Sequence, residues 1–338
     1  MLNAMPAGAR GSRIAGMGHY VPERVVTNDD MKQWMDTSDE WIHQRTGIRE
    51  RRWVEGNVGA AELGEHASRM ALAEAGLEAK DLDLILFATL SPDINFPGSS
   101  CLLQARLGVP GIATLDIRNQ CTGFLYGLAT ADAYIRSGMM KNVLVVGGEV
   151  HSSGLDLSTR GRDVTVLFGD GAGAAVVSAT DGERRIIDSE LHADGRYAEI
   201  LMLEAPASRH QPRLTEEMIA RGAHFPKMDG KAVFKHAVER IPEVTKSILA
   251  RNNLTLNDIA LLVPHQANMR INEMVVRQLG FPPEKVVHNI QKYGNTTAAS
   301  IPIALHEAAV EGRIQPGELA LLVAFGAGLT WGATLVRW

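Results

Sequence analysis

Three side chains stand where nucleophilic chemistry on a carbonyl could use them: Cys121, His265 and Asn295. Cys121 follows the extended run Leu115-Asp116-Ile117 and precedes Leu125, Leu128, Ala129 and Ala133, whose three- and four-residue steps predict a helix. A thiol at the start of that helix would feel its partial positive charge and free N–H groups, which favour thiolate. The competing role for a free cysteine is that of a small buried hydrophobe. His265 comes after the apolar run Ile259 to Pro264 and before another helical pattern. It could move or donate a proton there, or simply bond to neighbouring backbone. Asn295, in Gly294-Asn295-Thr296-Thr297, has the ordinary role of capping a helix, and can serve chemistry only if its amide faces a cleft.

The elements that must bring these residues together occur twice. Leu72 to Leu86 lines up with Leu249 to Val263, with Leu77 and Leu254 set 177 residues apart. Both segments read as a helix end, a polar turn with Asp and a buried strand. Ile135-Arg136-Ser137-Gly138 before the strand at Asn142 matches Val310-Glu311-Gly312 before the strand at Glu318, now 174 apart. The glycine-rich turns at Phe168 and Phe325 each lead into a strand at an offset of 157, so the first half is expected to carry an extra loop. Alternation of strands and helices in both halves predicts an α/β protein with its boundary near Ala179 to Glu183. The 174 offset carries Cys121 onto Asn295, and the 177 offset carries Ala88 onto His265. Strand carboxyl ends and helix starts share one face in such sheets, so the duplication places a cysteine, a histidine and an asparagine near a common axis.

Bulk properties narrow the classes. The 338 residues carry a formal charge of −5, which argues against non-specific nucleic-acid binding. Two cysteines exclude a disulfide framework and suit a reducing compartment. No signal-peptide core and no apolar run near the roughly 20 residues of a membrane span stand out, so a cytoplasmic protein is expected. The histidines show no metal-ligand spacing, and no metal or bound cofactor is expected. Gly169-Asp170-Gly171-Ala172-Gly173 imitates a dinucleotide fingerprint, but the residues after it read as strand, which offers a pyrophosphate no helix N-terminus. Cys101, on an apolar helical stretch, reads as core. Arg270 and Arg277 stand two turns apart on one predicted helix face, a local basic spot that an acidic partner could use.

Cys121-Thr122-Gly123-Phe124, Pro264-His265-Gln266-Ala267-Asn268 and Gly294-Asn295-Thr296-Thr297-Ala298-Ala299-Ser300 together resemble the β-ketoacyl-acyl carrier protein synthase III family of condensing enzymes. The likeness runs from about Ser12 to Trp338. It implies a duplicated thiolase-like fold layered as αβαβα, with a flexible terminus over residues 1–12 and two halves over 13–181 and 182–338. It also implies a decarboxylative condensation of an acyl-coenzyme A starter with a malonyl thioester, through an acyl-cysteine on Cys121, in a homodimer that initiates fatty acid synthesis. Acyl-coenzyme A is then substrate, and malonyl-acyl carrier protein is the partner that Arg270 and Arg277 would dock.

The same resemblance assigns Trp41, Arg45 and Asn268 to coenzyme A, and the backbone N–H groups of Cys121 and Ala327 to the oxyanion. It sends Phe96 to the partner subunit's acyl tunnel. His265 and Asn295 would both present N–H donors to the enolate left when malonyl loses carbon dioxide, a pairing that needs no carboxylate. Asn119-Gln120, Ala327 and Leu329 depart from the commonest family pattern close to the nucleophile, which bears on the choice of starter. Three other readings keep parts of this pattern: a condensing enzyme of secondary metabolism, a head-to-head condenser of two acyl chains, and a Cys-His-Asn hydrolase. In the last, the asparagine would only orient the histidine and duplication would serve no purpose.

Overall fold

The computed structural model of the chain describes residues 11–338. Two principal sheets carry the molecule. The first runs in the order Gly11–Tyr20, Gly171–Thr180, Asn142–Glu149, Leu84–Ala88, Ala113–Ile117. The second runs Arg185–Ala193, Thr330–Arg337, Leu319–Gly326, Leu261–Pro264, and a single parallel bridge from Leu262 to Val286 stands where a fifth strand would lie. Position for position the two orders correspond. All strands of the first sheet come from residues 11–180 and all of the second from 185–337.

Layering follows from which faces are apolar. Leu84–Ala88 and Leu261–Pro264 are parallel-paired and buried at every position, as strands covered on both faces must be. Between the sheets lie two helices, Gly123–Arg136 and Ser300–Val310. Phe124, Leu125, Leu128, Ile301, Ala304 and Leu305 pack there with residues of both sheets into one core. Helix Ser300–Val310 buries nearly its whole circumference, as a central helix should. The outer faces are covered by Ala60–Ala75 and Ser99–Leu107 on the first sheet, and by Gly230–Arg251 and Met269–Leu279 on the second. The result is five layers, αβαβα. Among the described residues no helix is long and apolar enough to cross a membrane.

Two expectations change. Gly11 pairs with Thr180, and buried Ser12 donates to Asp132 at 2.8 Å, so the end of the expected flexible terminus belongs to a strand. The rest of that segment, residues 1–10, lies outside the described residues. Cys101 is exposed, because helix Ser99–Leu107 turns Ser99, Ser100, Leu103 and Leu107 inward instead. The extra loop of the first half is present: residues 150–170 join its last two strands, where residues 327–329 suffice in the second.

Candidate active site

Cys121 sits in a single 3-10 turn, Gln120–Thr122, that feeds helix Gly123–Arg136. The matching turn in the second half is Thr297–Ala299, feeding Ser300–Val310. Both turns contain a left-handed residue, Gln120 and Thr297, each at φ 43° and 177 positions apart. The structure therefore equates Cys121 with Ala298, and the mapping of Cys121 onto Asn295 is corrected. The 174 offset belongs to the helix ends alone. Helix Ser300–Val310 has 11 residues against 14 in Gly123–Arg136, so three positions are lost inside the helix. Asn295 stands three residues before its half's equivalent of the cysteine, in the loop that bridges to Phe168.

Each turn rests on the other half's sheet. A Cβ on Gly326, at the end of Leu319–Gly326, would come within 2.6 Å of Cys121 Cβ. A Cβ on Gly147, in Asn142–Glu149, would come within 2.2 Å of the Ala298 carbonyl oxygen. Neither contact leaves room for a side chain. The hydroxyls of Thr122 and Thr330 meet at 2.8 Å across the same seam.

The electrostatics of the thiol differ from those expected of a helix start. Burial, and after it the charge of Glu149, push the Cys121 pKa up to about 12. Backbone N–H groups of Ala327 and of Cys121 itself bond to the sulfur and offset part of that rise. Desolvation outweighs the helix field, so the resting nucleophile is a thiol. The same two N–H groups are the pair expected at an oxyanion.

His265 follows Leu261–Pro264, its N–H donating to the Val323 carbonyl at 2.8 Å. Its Nδ1 lies 2.6 Å from the Ser300 hydroxyl, while Nε2 is buried with no protein partner. Burial lowers its pKa to about 3, so the ring is neutral at pH 7. Asn295 Oδ1 accepts from the Thr297 N–H at 2.9 Å, which satisfies the local turn and leaves the amide NH2 as the available donor. Asn295 does not cap the helix, since Thr296 and Ala299 stand at the two N-cap positions; it closes an Asx-type turn instead, which leaves its amide NH2 for the cleft.

Cys121, His265, Asn295 and Ala327 border one cavity of about 1920 Å³. At one end is Trp41, placed by the Ser38 hydroxyl that accepts its backbone N–H at 3.0 Å. Guanidinium carbons of Arg45 and Arg162 each lie 4.4 Å from the Trp41 ring centroid. Asn268 borders the cavity, but its Oδ1 caps helix Met269–Leu279 and its Nδ2 donates to the Arg45 carbonyl at 3.0 Å. It therefore pins the helix that holds Trp41, Asp39–Thr46, to Met269–Leu279. Arg270 borders the cavity mouth, whereas Arg277 shares its exposed face without lining the cavity. Phe96 also borders the cavity and is 82% exposed.

Sequence reasoning missed Arg162, Glu149 and His151. Glu149 carried a signal: it is the one acid of strand Asn142–Glu149, closing a run that after Asn142 holds only Val, Leu and Gly. Arg162, in a polar loop, carried none. Asp170 of the glycine-rich turn accepts from the N–H groups of His151, Ser152 and Val54, and strands Gly171–Thr180 and Thr330–Arg337 follow the two turns.

Comparison with known proteins places this geometry. Family models described as 3-oxoacyl-(acyl-carrier-protein) synthase III and its C-terminal region match residues 115–195 and 249–338. The beta-ketoacyl-(acyl-carrier-protein) synthase III of Caldanaerobacter subterraneus subsp. tengcongensis is 45% identical over 325 residues, 96% of this chain and 97% of the relative. The crystal structure of 3-oxoacyl-(acyl-carrier-protein) synthase III from Aquifex aeolicus VF5 superposes with a TM-score of 0.89 at 43% identity, covering 97% of this chain and 100% of that one. The priming β-ketosynthase of the R1128 polyketide pathway is similar at 33% identity and a TM-score of 0.88, covering 99% and 98%.

Proposed function

The chain belongs to the 3-oxoacyl-(acyl-carrier-protein) synthase III family and is a condensing enzyme that initiates fatty acid synthesis, and from that premise we propose the residues and thioesters through which it works. Cys121 sulfur attacks the carbonyl of an acyl-coenzyme A; the carbon–sulfur bond to coenzyme A breaks and the thiol proton leaves with the coenzyme A sulfur. The N–H groups of Cys121 and Ala327 hold the oxyanion of that step. A malonyl thioester carried on acyl carrier protein then loses carbon dioxide, and the electron pair moves onto its thioester oxygen as an enolate. His265 Nε2 and the Asn295 amide donate to that oxygen. The enolate carbon attacks acyl-Cys121, and the cysteine sulfur departs as thiolate and takes up one proton from solvent to return to the thiol.

The observation that carries this reading is the meeting, in the lining of one cavity, of a buried thiol, its two backbone donors, an unpartnered histidine nitrogen and a free amide. Trp41, with the guanidinium carbons of Arg45 and Arg162 each 4.4 Å from its ring centroid, supports an aromatic platform for the adenine of coenzyme A, with the arginines toward its phosphates. Asn268 serves that subsite by holding its helix. No further cofactor has a place in this sequence of steps, and a free thiol nucleophile suits the cytoplasm.

A homodimer is supported by what the first sheet leaves open. Among the described residues Ala113–Ile117 pairs only with Leu84–Ala88; Leu115 on that edge strand is exposed, as is Phe96 in the loop before helix Ser99–Leu107. An unpaired edge with apolar side chains calls for a cover, and a second copy would supply it while bringing Phe96 to the partner's cavity.

Intact-protein mass spectrometry after incubation with a panel of acyl-coenzyme A thioesters tests the reading. The panel includes straight, branched and carboxyl-tipped chains, because Arg118 and Gln120 border the cavity beside the nucleophile. One acyl mass is expected on the peptide holding Cys121, from at least one starter. Labelling from acyl-carrier protein alone, with none from any coenzyme A thioester, would overturn the donor assignment.

Arg270 and Arg277 are exposed on one face of Met269–Leu279 with only Glu273 as an exposed acid beside them. Reversing both charges (Arg270→Glu, Arg277→Glu) is expected to raise the KM for malonyl-acyl carrier protein about tenfold or more, with acyl uptake from coenzyme A little changed. An unchanged KM would remove the docking face.

A further inference from the structure

Strand Asn142–Glu149 and the residue pair after it approach the Thr297–Ala299 turn with every second residue. Gly147 lies against the Ala298 carbonyl, as its forbidden Cβ indicates. Two residues on, the buried Glu149 carboxylate lies close enough to the Thr297 side chain for that hydroxyl to favour its charged form. Two further on, His151 Nε2 is 3.1 Å from the Thr297 hydroxyl oxygen. The period of two is that of one strand face, continued just past the strand's end. The Thr297 hydroxyl is thereby clamped from two sides.

Thr297 needs holding. It adopts φ 43°, a left-handed conformation that a β-branched residue takes only when its surroundings impose it. Its N–H is the group that donates to Asn295 Oδ1 at 2.9 Å. Whatever sets the Thr297 backbone therefore sets the direction of the Asn295 amide.

Neither Glu149 nor His151 touches a reacting atom in the steps above, although the Glu149 charge helps to keep Cys121 protonated, and both are buried. Glu149 accepts from the N–H groups of Leu90 and Ser91 and from the hydroxyls of Thr89 and Ser91, at 2.5 to 3.1 Å for its Oε2. Among the described residues it has no lysine or arginine partner. Burial raises its pKa, and these hydrogen bonds together with the Thr297 side chain oppose the rise. His151 is held neutral, its pKa lowered to about 4 by burial, with the Asp170 charge opposing. By the 177 offset the counterpart of Glu149 is Gly326, under Cys121, so the clamp exists on the asparagine side only.

We propose that Glu149 and His151 are positioning residues that, through the Thr297 hydroxyl, aim the Asn295 amide for the malonyl half-reaction. The inference rests on the assignment of Asn295 as an enolate donor. Thr297→Val, which keeps the shape and removes the hydroxyl, is expected to lower carbon dioxide release from malonyl-acyl carrier protein about tenfold. Acyl uptake by Cys121 should stay within about twofold, and Thr297→Ser should restore most of the release.

Glu149→Gln and His151→Phe should each lower release severalfold alone, yet add little in the Thr297→Val background, because the group through which they act is gone. Thr297→Val should likewise add little to Asn295→Ala. Full additivity in these pairs, wild-type release by Thr297→Val, or a parallel loss of acyl uptake would overturn the clamp. Asn295→Ala releasing carbon dioxide at the wild-type rate would instead overturn the donor assignment beneath it.

Discussion

Cys121→Ala is expected to take up no acyl group and still to release carbon dioxide from a malonyl thioester. Removing the sulfur removes the only nucleophile proposed for the first half-reaction, so uptake of radiolabelled acyl group should fall by at least about a thousandfold. The enolate donors are elsewhere: His265 is fixed by Ser300, and the Asn295 Oδ1 by the Thr297 N–H. Slow decarboxylation should therefore persist. Loss of both activities together would mean that the two half-reactions do not divide along these residues. The thiol's raised pKa adds a pH signature in the unmodified protein. A raised thiol pKa keeps the proton on sulfur at neutral pH, and the thiolate fraction grows about tenfold per pH unit below that pKa. Alkylation of Cys121 should thus be slow at pH 7 and still accelerating above pH 9, where an ordinary thiol has levelled off. A plateau near pH 8 would show that the helix start and the backbone N–H groups prevail over burial.

The three candidate residues could be singled out in the sequence because each sits at a change of element. Periodicity shows where the helix after Cys121 begins and where the strand before His265 ends, and strand ends meet helix starts on one face of an α/β sheet. The duplication was legible too, but its register was not. A helix three residues shorter in the second half shifts the offset only within that helix, and glycine at the helix ends marks the shifted value. Asn295 was therefore matched to Cys121, when the φ 43° turns match Gln120 to Thr297 instead.

Contacts that cross between the halves could not be read at all. Gly326 under Cys121 and Gly147 under Ala298 join one half to the other, and no local pattern marks them; Arg162 over Trp41, within the first half, joins segments over a hundred residues apart and is equally unmarked. The thiol's protonation was misjudged for the same reason. A helix start is visible in sequence, whereas burial by a strand from the other half is not. That crossing of supports also explains why the thiolase-like duplication is kept. Each half supplies the floor for the other's reacting turn, so neither could form its site alone.

His265→Ala and Asn295→Ala should each lower decarboxylation and condensation about a hundredfold, in keeping with roughly 3 kcal/mol for one donor to a developing oxyanion. Acyl uptake should continue in both, since the oxyanion of the first step is assigned to the backbone N–H groups of Cys121 and Ala327 that meet the sulfur. The His265 prediction turns on one proton. When the Ser300 hydroxyl donates to Nδ1, 2.6 Å away, the ring proton stands on Nε2 and His265 is a donor to the enolate. When Nδ1 carries the proton and donates to Ser300, the bare Nε2 is a base able to take the Cys121 proton, as in a protease-like triad. The pKa lowered to about 3 fits the first arrangement, because a ring so reluctant to charge is a poor base and a good neutral donor. Ser300→Ala separates the two: without the hydroxyl to hold the tautomer, carbon dioxide release should fall while acyl uptake remains. Acyl uptake abolished by His265→Ala as fully as by Cys121→Ala would make His265 the base for the thiol and move it from the second half-reaction to the first.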